Sequence, residues 1–249
     1  MGMVYIVIMN KLLLPILLMF TVLRSTAYAQ DFDRLRARMV DEVNVMVSQT
    51  RDYIGTDRLN PGVIQQMATV PRHEFVPAEM QQHAYRNRPL PIGRDQTISQ
   101  PFIVALMTDL AVVDNDDVVL EIGTGSGYQA AVLAGLAKHV YTIEIIAQLG
   151  NTARQTLQRL GYSNISVRIA DGYLGWPEFA PFDVIIVTAA PEQVPQPLLD
   201  QLKLGGRMII PVGPAGSTQS LRLIEKDNSG YISERDVLPV GFVPLTRQR

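Results

Sequence analysis

The spacing of apolar residues changes character twice along this chain. From Asp31 onward, Phe32, Leu35, Met39, Val43 and Met46 recur every three or four residues with charged positions between them, which predicts an amphipathic helix. Asn60 followed by Pro61 predicts the cap and first residue of a second helix running through Ile64 and Met67. Pro71 to Pro77 is bracketed by prolines and reads as irregular. Residues 78–99 read as loop and short turns, punctuated by Pro89, Pro91 and Gly93. A helix from Gln100 to Leu110 follows, and on pattern alone Ser99 is its cap.

Beyond Val118 the pattern becomes short apolar runs separated by helical stretches. Strands are predicted at Val118–Glu121, Val140–Glu144, Ile165–Ile169, Phe182–Thr188 and Met208–Val212. Helices are predicted after the glycines at 123–127, from Ile146 to Leu160, and from Pro195 to Leu202. Leu221–Glu225 and Tyr231–Val243 read as closing strands. Strand–helix alternation of this kind implies an α/β fold, a doubly wound and mostly parallel sheet with helices on both faces. There is no repeat or low-complexity linker. Residues 30–249 read as one domain, with a helical and loop part over 30–112 and an α/β core over 113–249.

Composition narrows the chemistry. Of 249 residues 47% are hydrophobic, enough for a sizeable core. A net charge of −2 gives no electrostatic footprint for nucleic acid. There is no cysteine, which excludes disulfides, thiolate catalysis and cysteine zinc sites. His73, His83 and His139 show no metal spacing, so no metal site is predicted.

The N-terminus reads as a leader. Leu12 to Leu23 carries no charge and is short for a membrane span, Lys11 precedes it, and Ala27-Tyr28-Ala29 supplies small residues for a signal peptidase. Residues 1–29 are thus expected to be a signal peptide, with Gln30 as the first mature residue and Met9 as the true start. That reading implies periplasm or secretion, and no stable membrane insertion after cleavage; an uncleaved hydrophobic anchor and a cytoplasmic chain are the alternatives.

The chemistry is concentrated in Glu121-Ile122-Gly123-Thr124-Gly125-Ser126-Gly127, where a buried strand meets a helix through a tight glycine turn. Such a turn presents backbone N–H groups and a helix N-terminus to a ligand. Three predicted strands end near an acid: Glu121, Glu144 and Asp171. Glu144 stands where a ribose-binding acid is expected, and Asp171 can accept from an adenine amine. The glycines run G-x-G-x-G rather than G-x-G-x-x-G, which argues against a dinucleotide, and Glu121 would repel a pyrophosphate. A cationic adenosine derivative fits better, and S-adenosyl-L-methionine is one. Ser126 lacks the spacing of a hydrolase elbow.

Gln96-Thr97-Ile98-Ser99-Gln100-Pro101, Glu121 to Gln129, Thr188-Ala189-Ala190-Pro191, Gly205 to Gly213 and Phe242-Val243-Pro244-Leu245 together resemble the protein-L-isoaspartate (D-aspartate) O-methyltransferase family. The resemblance runs from about Pro61 to the C-terminus. It implies a Rossmann-like fold and methyl transfer from S-adenosyl-L-methionine to the free carboxylate of L-isoaspartyl and D-aspartyl residues in damaged proteins, initiating repair. Isoaspartyl proteins and peptides are then the partners, and a monomer is expected. The motifs leave open a carboxyl methyltransferase acting on another peptide or a small molecule. The resemblance also implies that Gly123, Gly125 and Gly127 line the cofactor, with Glu144 at the ribose and Asp171 and Gly172 at the adenine. Thr97, Ile98 and Ser99 would sit over the methyl group and the substrate carboxylate, with Ser99 catalytic, and Thr246 would lie close to the cofactor. Two features depart from the family. Ala170 stands where a glycine is usual, which fits if its φ is negative. The leader contrasts with the cytoplasmic location typical of the family.

Overall fold

The computed structural model describes residues 13–247, with side chains described from Asp31 onward. The expected leader and the Met9 start fall on residues outside those side chains. Helix α1 (Leu13–Ile54) turns Met39, Val43, Val47 and Ile54 into the core, as the three-and-four spacing requires. Helix α2 (Pro61–Thr69) is capped by Asn60, whose Oδ1 accepts from Gly62 N at 2.8 Å. Two short 3-10 turns follow, Arg72–Phe75 and Ala78–His83.

Residues 78–99, expected as loop and short turns, do hold a short turn at Ala78–His83 but also form regular strand structure. Strands β1 (Leu90–Gly93) and β2 (Gln96–Ile98) form an antiparallel hairpin. Its two-residue turn holds Arg94 at φ 54° and Asp95 at φ 57°, the left-handed geometry that matches strand twist. No Asn-Gly announces it, because Asp95 tolerates this conformation through its short polar side chain. Helix α3 (Pro101–Ala111) begins one residue later than expected. Pro101 fixes the first helical position, so the cap falls on Gln100 and not on Ser99. Asn87 Oδ1 answers the amide of Phe102 instead, at 3.0 Å.

The remaining elements are β3 (Val118–Ile122), α4 (Tyr128–Ala134), β4 (His139–Glu144), α5 (Ala147–Arg159), β5 (Ile165–Ile169), β6 (Phe182–Val187), α6 (Gln196–Gln201), β7 (Leu202–Val212), β8 (Gln219–Lys226) and β9 (Ile232–Val240). Among the described residues the main sheet has the order β5-β4-β3-β6-β7-β8-β9. The pairs from β5 to β7 are parallel and the last two are antiparallel. Both faces are covered. Val119 belongs to the cluster under α1 to α4, while Leu120 and Ile122 belong to a second cluster with Ile185, Leu198 and Met208. The chain leaves β3 for β4 on one side and returns to β6 on the other, so a crevice opens at the carboxyl end of β3. Among the described residues no helix is long and apolar enough to cross a membrane.

Candidate active site

A cavity occupies that crevice. Its floor is the end of β3 and the glycine turn, its walls are the ends of β4 and β6, and β2 with Ser99 covers it. Ile92 of the hairpin comes within 3.5 Å of where a Cβ on Gly125 would stand. Arg94 donates through Nε to Gln148 Oε1 at 2.7 Å, tying the hairpin tip to α5.

The glycine turn is shaped by its neighbours. Gly123 has φ 97°, and a Cβ there would lie 2.5 Å from Thr188 Oγ1. Thr188, just past β6, donates that hydroxyl toward the carbonyls of Ile122 at 3.1 Å and Gly123 at 2.7 Å. The turn is therefore clamped to the next strand, and its remaining backbone edge faces the cavity. Glu144 holds it from the other side: Oε2 accepts from Gly125 N at 2.8 Å and Oε1 from Ile146 N at 2.9 Å. One carboxylate thereby orders the glycine turn and the entry to α5.

Glu121 is 0% exposed and still lines the cavity. Its Oε2 accepts from Thr142 Oγ1 at 2.6 Å, and that hydroxyl in turn pairs with Thr124 Oγ1 at 2.6 Å. Among the described residues its Oε1 has no hydrogen-bond partner. Burial pushes its pKa up to about 8; the Thr142 bond works against that rise and the nearby Glu144 adds to it. At neutral pH Glu121 thus mostly holds its proton, where the sequence had suggested a carboxylate ready for a cation.

Thr97, Ile98, Ser99, Glu121, Gly123, Gly125, Glu144, Gly172 and Thr246 all line this cavity. Gly127 and Asp171 stand outside its wall. Gly127 caps α4 at φ 90° and packs toward Ala153 and Leu157. Asp171 caps a short turn, with Oδ1 accepting from Tyr173 N at 2.9 Å. Gly172 has no room for a side chain, since a Cβ would lie 2.5 Å from Ile122 Cγ2. Ala170 keeps a φ outside the left-handed region, which meets the condition its departure from the family pattern set. Thr246 reaches the site because the C-terminal segment is stitched to the end of β6: Ala190 N donates to Val243 O at 2.8 Å and Leu245 N to Ala190 O at 2.9 Å.

A second cavity adjoins the first. Met46 and Thr50 of α1, Phe102 and Ile103 of α3, and Leu238 to Phe242 contribute to its lining, which contains no charged side chain. Thr97, Ser99, Thr188 and Val243 belong to both cavities. Thr188 and Val243 carried no assigned role in the sequence. Both sit in motifs, but their shared wall exists only once β6 and the C-terminal segment are brought together.

The residues fit a cationic adenosine cofactor. A cradle that a Cβ on Gly123 would obstruct, the Glu144 carboxylate at the end of β4 and a buried carboxyl oxygen of Glu121 without a partner among the described residues line one crevice. Fold and site together define a Rossmann-like S-adenosylmethionine-dependent methyltransferase. Comparison with known proteins supplies the family. The model of the family described as protein-L-isoaspartate (D-aspartate) O-methyltransferase matches residues 42–249. Protein-L-isoaspartate O-methyltransferase 2 of Polaromonas sp. (strain JS666) is 60% identical over 211 residues, covering 85% of this chain and 100% of that protein. Among solved structures, a protein-L-isoaspartate O-methyltransferase matches with TM-score 0.71 at 28% identity, over 82% of this chain and 65% of that one. A Plasmodium falciparum structure described as a beta-aspartate methyltransferase in complex with S-adenosyl-L-homocysteine matches with TM-score 0.70 at 24% identity, over 87% of this chain and 99% of that one. This last likeness bears on the fold. The chain belongs to the protein-L-isoaspartate (D-aspartate) O-methyltransferase family.

Proposed function

We infer that the chain transfers a methyl group from S-adenosyl-L-methionine to the free carboxylate of L-isoaspartyl and D-aspartyl residues in damaged proteins, which initiates their repair. One observation carries the assignment to a two-substrate transfer: the two cavities share a wall at Thr97, Ser99, Thr188 and Val243. The glycine-lined cavity suits the methyl donor. The uncharged cavity between α1, α3 and the C-terminal segment suits a peptide chain, and the reacting carboxylate would stand at the shared wall.

When bound, S-adenosyl-L-methionine supplies a methyl group activated on a sulfonium. Glu144 would hold the ribose hydroxyls, and Glu121 the cationic end, giving up its proton as it does so. Gly123 and Gly125 would give the cofactor backbone contact, and Gly172, Leu245 and Thr246 would close its adenine side. An isolated carboxylate of this kind has a pKa of roughly 4, so the nucleophile is ionised at neutral pH and no general base is required. Ser99 is half-buried and its hydroxyl caps no helix, which leaves it able to donate to one carboxylate oxygen. A neutral donor orients that oxygen without cancelling its charge. In-line placement then supplies much of the acceleration. The discriminating experiment is methylation of paired peptides that differ only in aspartyl or isoaspartyl linkage.

Residues 1–29 belong to the same proposal as an export leader. N-terminal sequencing of the protein recovered from its native compartment tests it: a chain beginning at Gln30 supports cleavage, and a retained Met1 refutes both the leader and the Met9 start. We further propose a monomer that acts without nucleic acid; sedimentation of the purified protein as a dimer would overturn the first part.

A further inference from the structure

Arg72 is 0% exposed, yet among the described residues no carboxylate pairs with it. Burial lowers its pKa to about 10, so it remains a cation at neutral pH. A buried cation without a counter-ion depends on hydrogen bonds and aromatic faces in place of water. Here Nε donates to the carbonyl of Ala84 at 2.8 Å and Nη2 to the carbonyl of Ser99 at 2.7 Å. The guanidinium carbon stands 4.7 Å from the centre of the Tyr128 ring, and among the described residues Nη1 meets no acceptor in hydrogen-bond geometry. These three contacts belong to three separate segments: the turn ending at Ala84, the link between β2 and α3, and the first residue of α4 after the glycine turn.

Ser99 lies outside both β2 and α3, and neither a strand ladder nor a helix bond is available to fix its carbonyl. The guanidinium supplies that bond. Its planar fork spans two carbonyls while lying over an aromatic ring, which a lysine ammonium cannot reproduce. We propose that Arg72 is a positioning residue for methyl transfer, fixing the Ser99 backbone against the start of α4 so that the Ser99 hydroxyl and the glycine turn keep one relative placement. The proposal rests on the reading of Ser99 as the residue that orients the substrate carboxylate.

The test is a double-mutant cycle on the full chain with R72K, R72Q and S99A. Methylation of an isoaspartyl peptide gives kcat and KM, calorimetry gives the S-adenosyl-L-homocysteine Kd, and thermal unfolding gives Tm. In the Ser99 background, R72K and R72Q each lower kcat on the order of 10- to 100-fold, the loss expected from a misplacement near 1 Å, while the cofactor Kd stays within about twofold. In the S99A background the same changes cost less than about twofold, because the hydroxyl they misplace is gone. Equal losses in both backgrounds, a parallel rise in cofactor Kd, or failure of both variants to fold would overturn the proposal and leave Arg72 a packing residue. A wild-type chain that binds cofactor but leaves the isoaspartyl peptide unmethylated overturns the functional reading, and the positioning claim falls with it.

Discussion

The carboxylate of Glu144 accepts the amide of Gly125 at 2.8 Å across 19 residues of chain, so the acid expected to hold the ribose also holds the glycine turn in shape. Both roles predict the same defect. Glu144→Ala should weaken cofactor binding by roughly 10- to 100-fold, the effect of losing hydrogen bonds to a charged group. Glu144→Gln keeps one acceptor oxygen and should fall between. Calorimetric titration with S-adenosyl-L-homocysteine measures this, and an unchanged Kd for Glu144→Ala would refute the ribose assignment.

Ser99→Ala separates the two cavities. One oriented bond to a carboxylate is removed, so kcat should fall on the order of 10- to 100-fold with cofactor Kd unchanged. If cofactor binding weakens in proportion, Ser99 serves the donor and not the acceptor.

Glu121 makes the fold sensitive to pH. Its folded pKa of about 8 lies above the ordinary carboxylate value, so the native state keeps a proton that the unfolded state releases. Its contribution is fully present below the ordinary value of about 4.5 and is lost as pH rises toward about 8. Glu121→Gln keeps the shape without the proton. Its Tm should exceed that of the wild type at pH 8 by on the order of 10 °C, with the gap closing near pH 5. A gap that does not change with pH would show that Glu121 is not the titrating group. In the wild type, cofactor binding at pH 7 should release a proton, seen as a binding heat that depends on the ionisation enthalpy of the buffer.

Gly123→Ala tests the cradle. With φ at 97° and Thr188 Oγ1 2.5 Å from the new Cβ, the substitution should lower stability by about 1–3 kcal/mol and abolish measurable cofactor binding. Gly161→Ala is the control, because φ there is 83° and nothing stands within 4 Å of a Cβ. It should bear the backbone strain alone and bind cofactor normally.

The sequence made the parts with local causes legible. Asn60-Pro61 starts a helix by its own chemistry, and the short β-branched apolar runs at Val118 and Phe182, bounded by turn residues, read as buried strands and are strands. Parts that depend on distant partners were hidden. The hairpin turn at Arg94-Asp95 carries no glycine. Ser99 looked like a cap until Pro101 set the helix start and Asn87, 15 residues before Phe102, answered its amide. Glu121 was visible as an acid at a strand end, but not as a buried one, because its depth depends on how β4 packs beside it. Thr188 and Arg72 act through carbonyls of other segments, and no spacing in the chain records that.

The central claim is the acceptor. The direct measurement is transfer of labelled methyl from S-adenosyl-L-methionine, by protein starting at Gln30, to two peptides identical except for an aspartyl or an isoaspartyl bond. The account predicts methylation of the isoaspartyl peptide, with the aspartyl peptide near background. Equal labelling of both peptides, or of neither by a protein that binds cofactor, would contradict it.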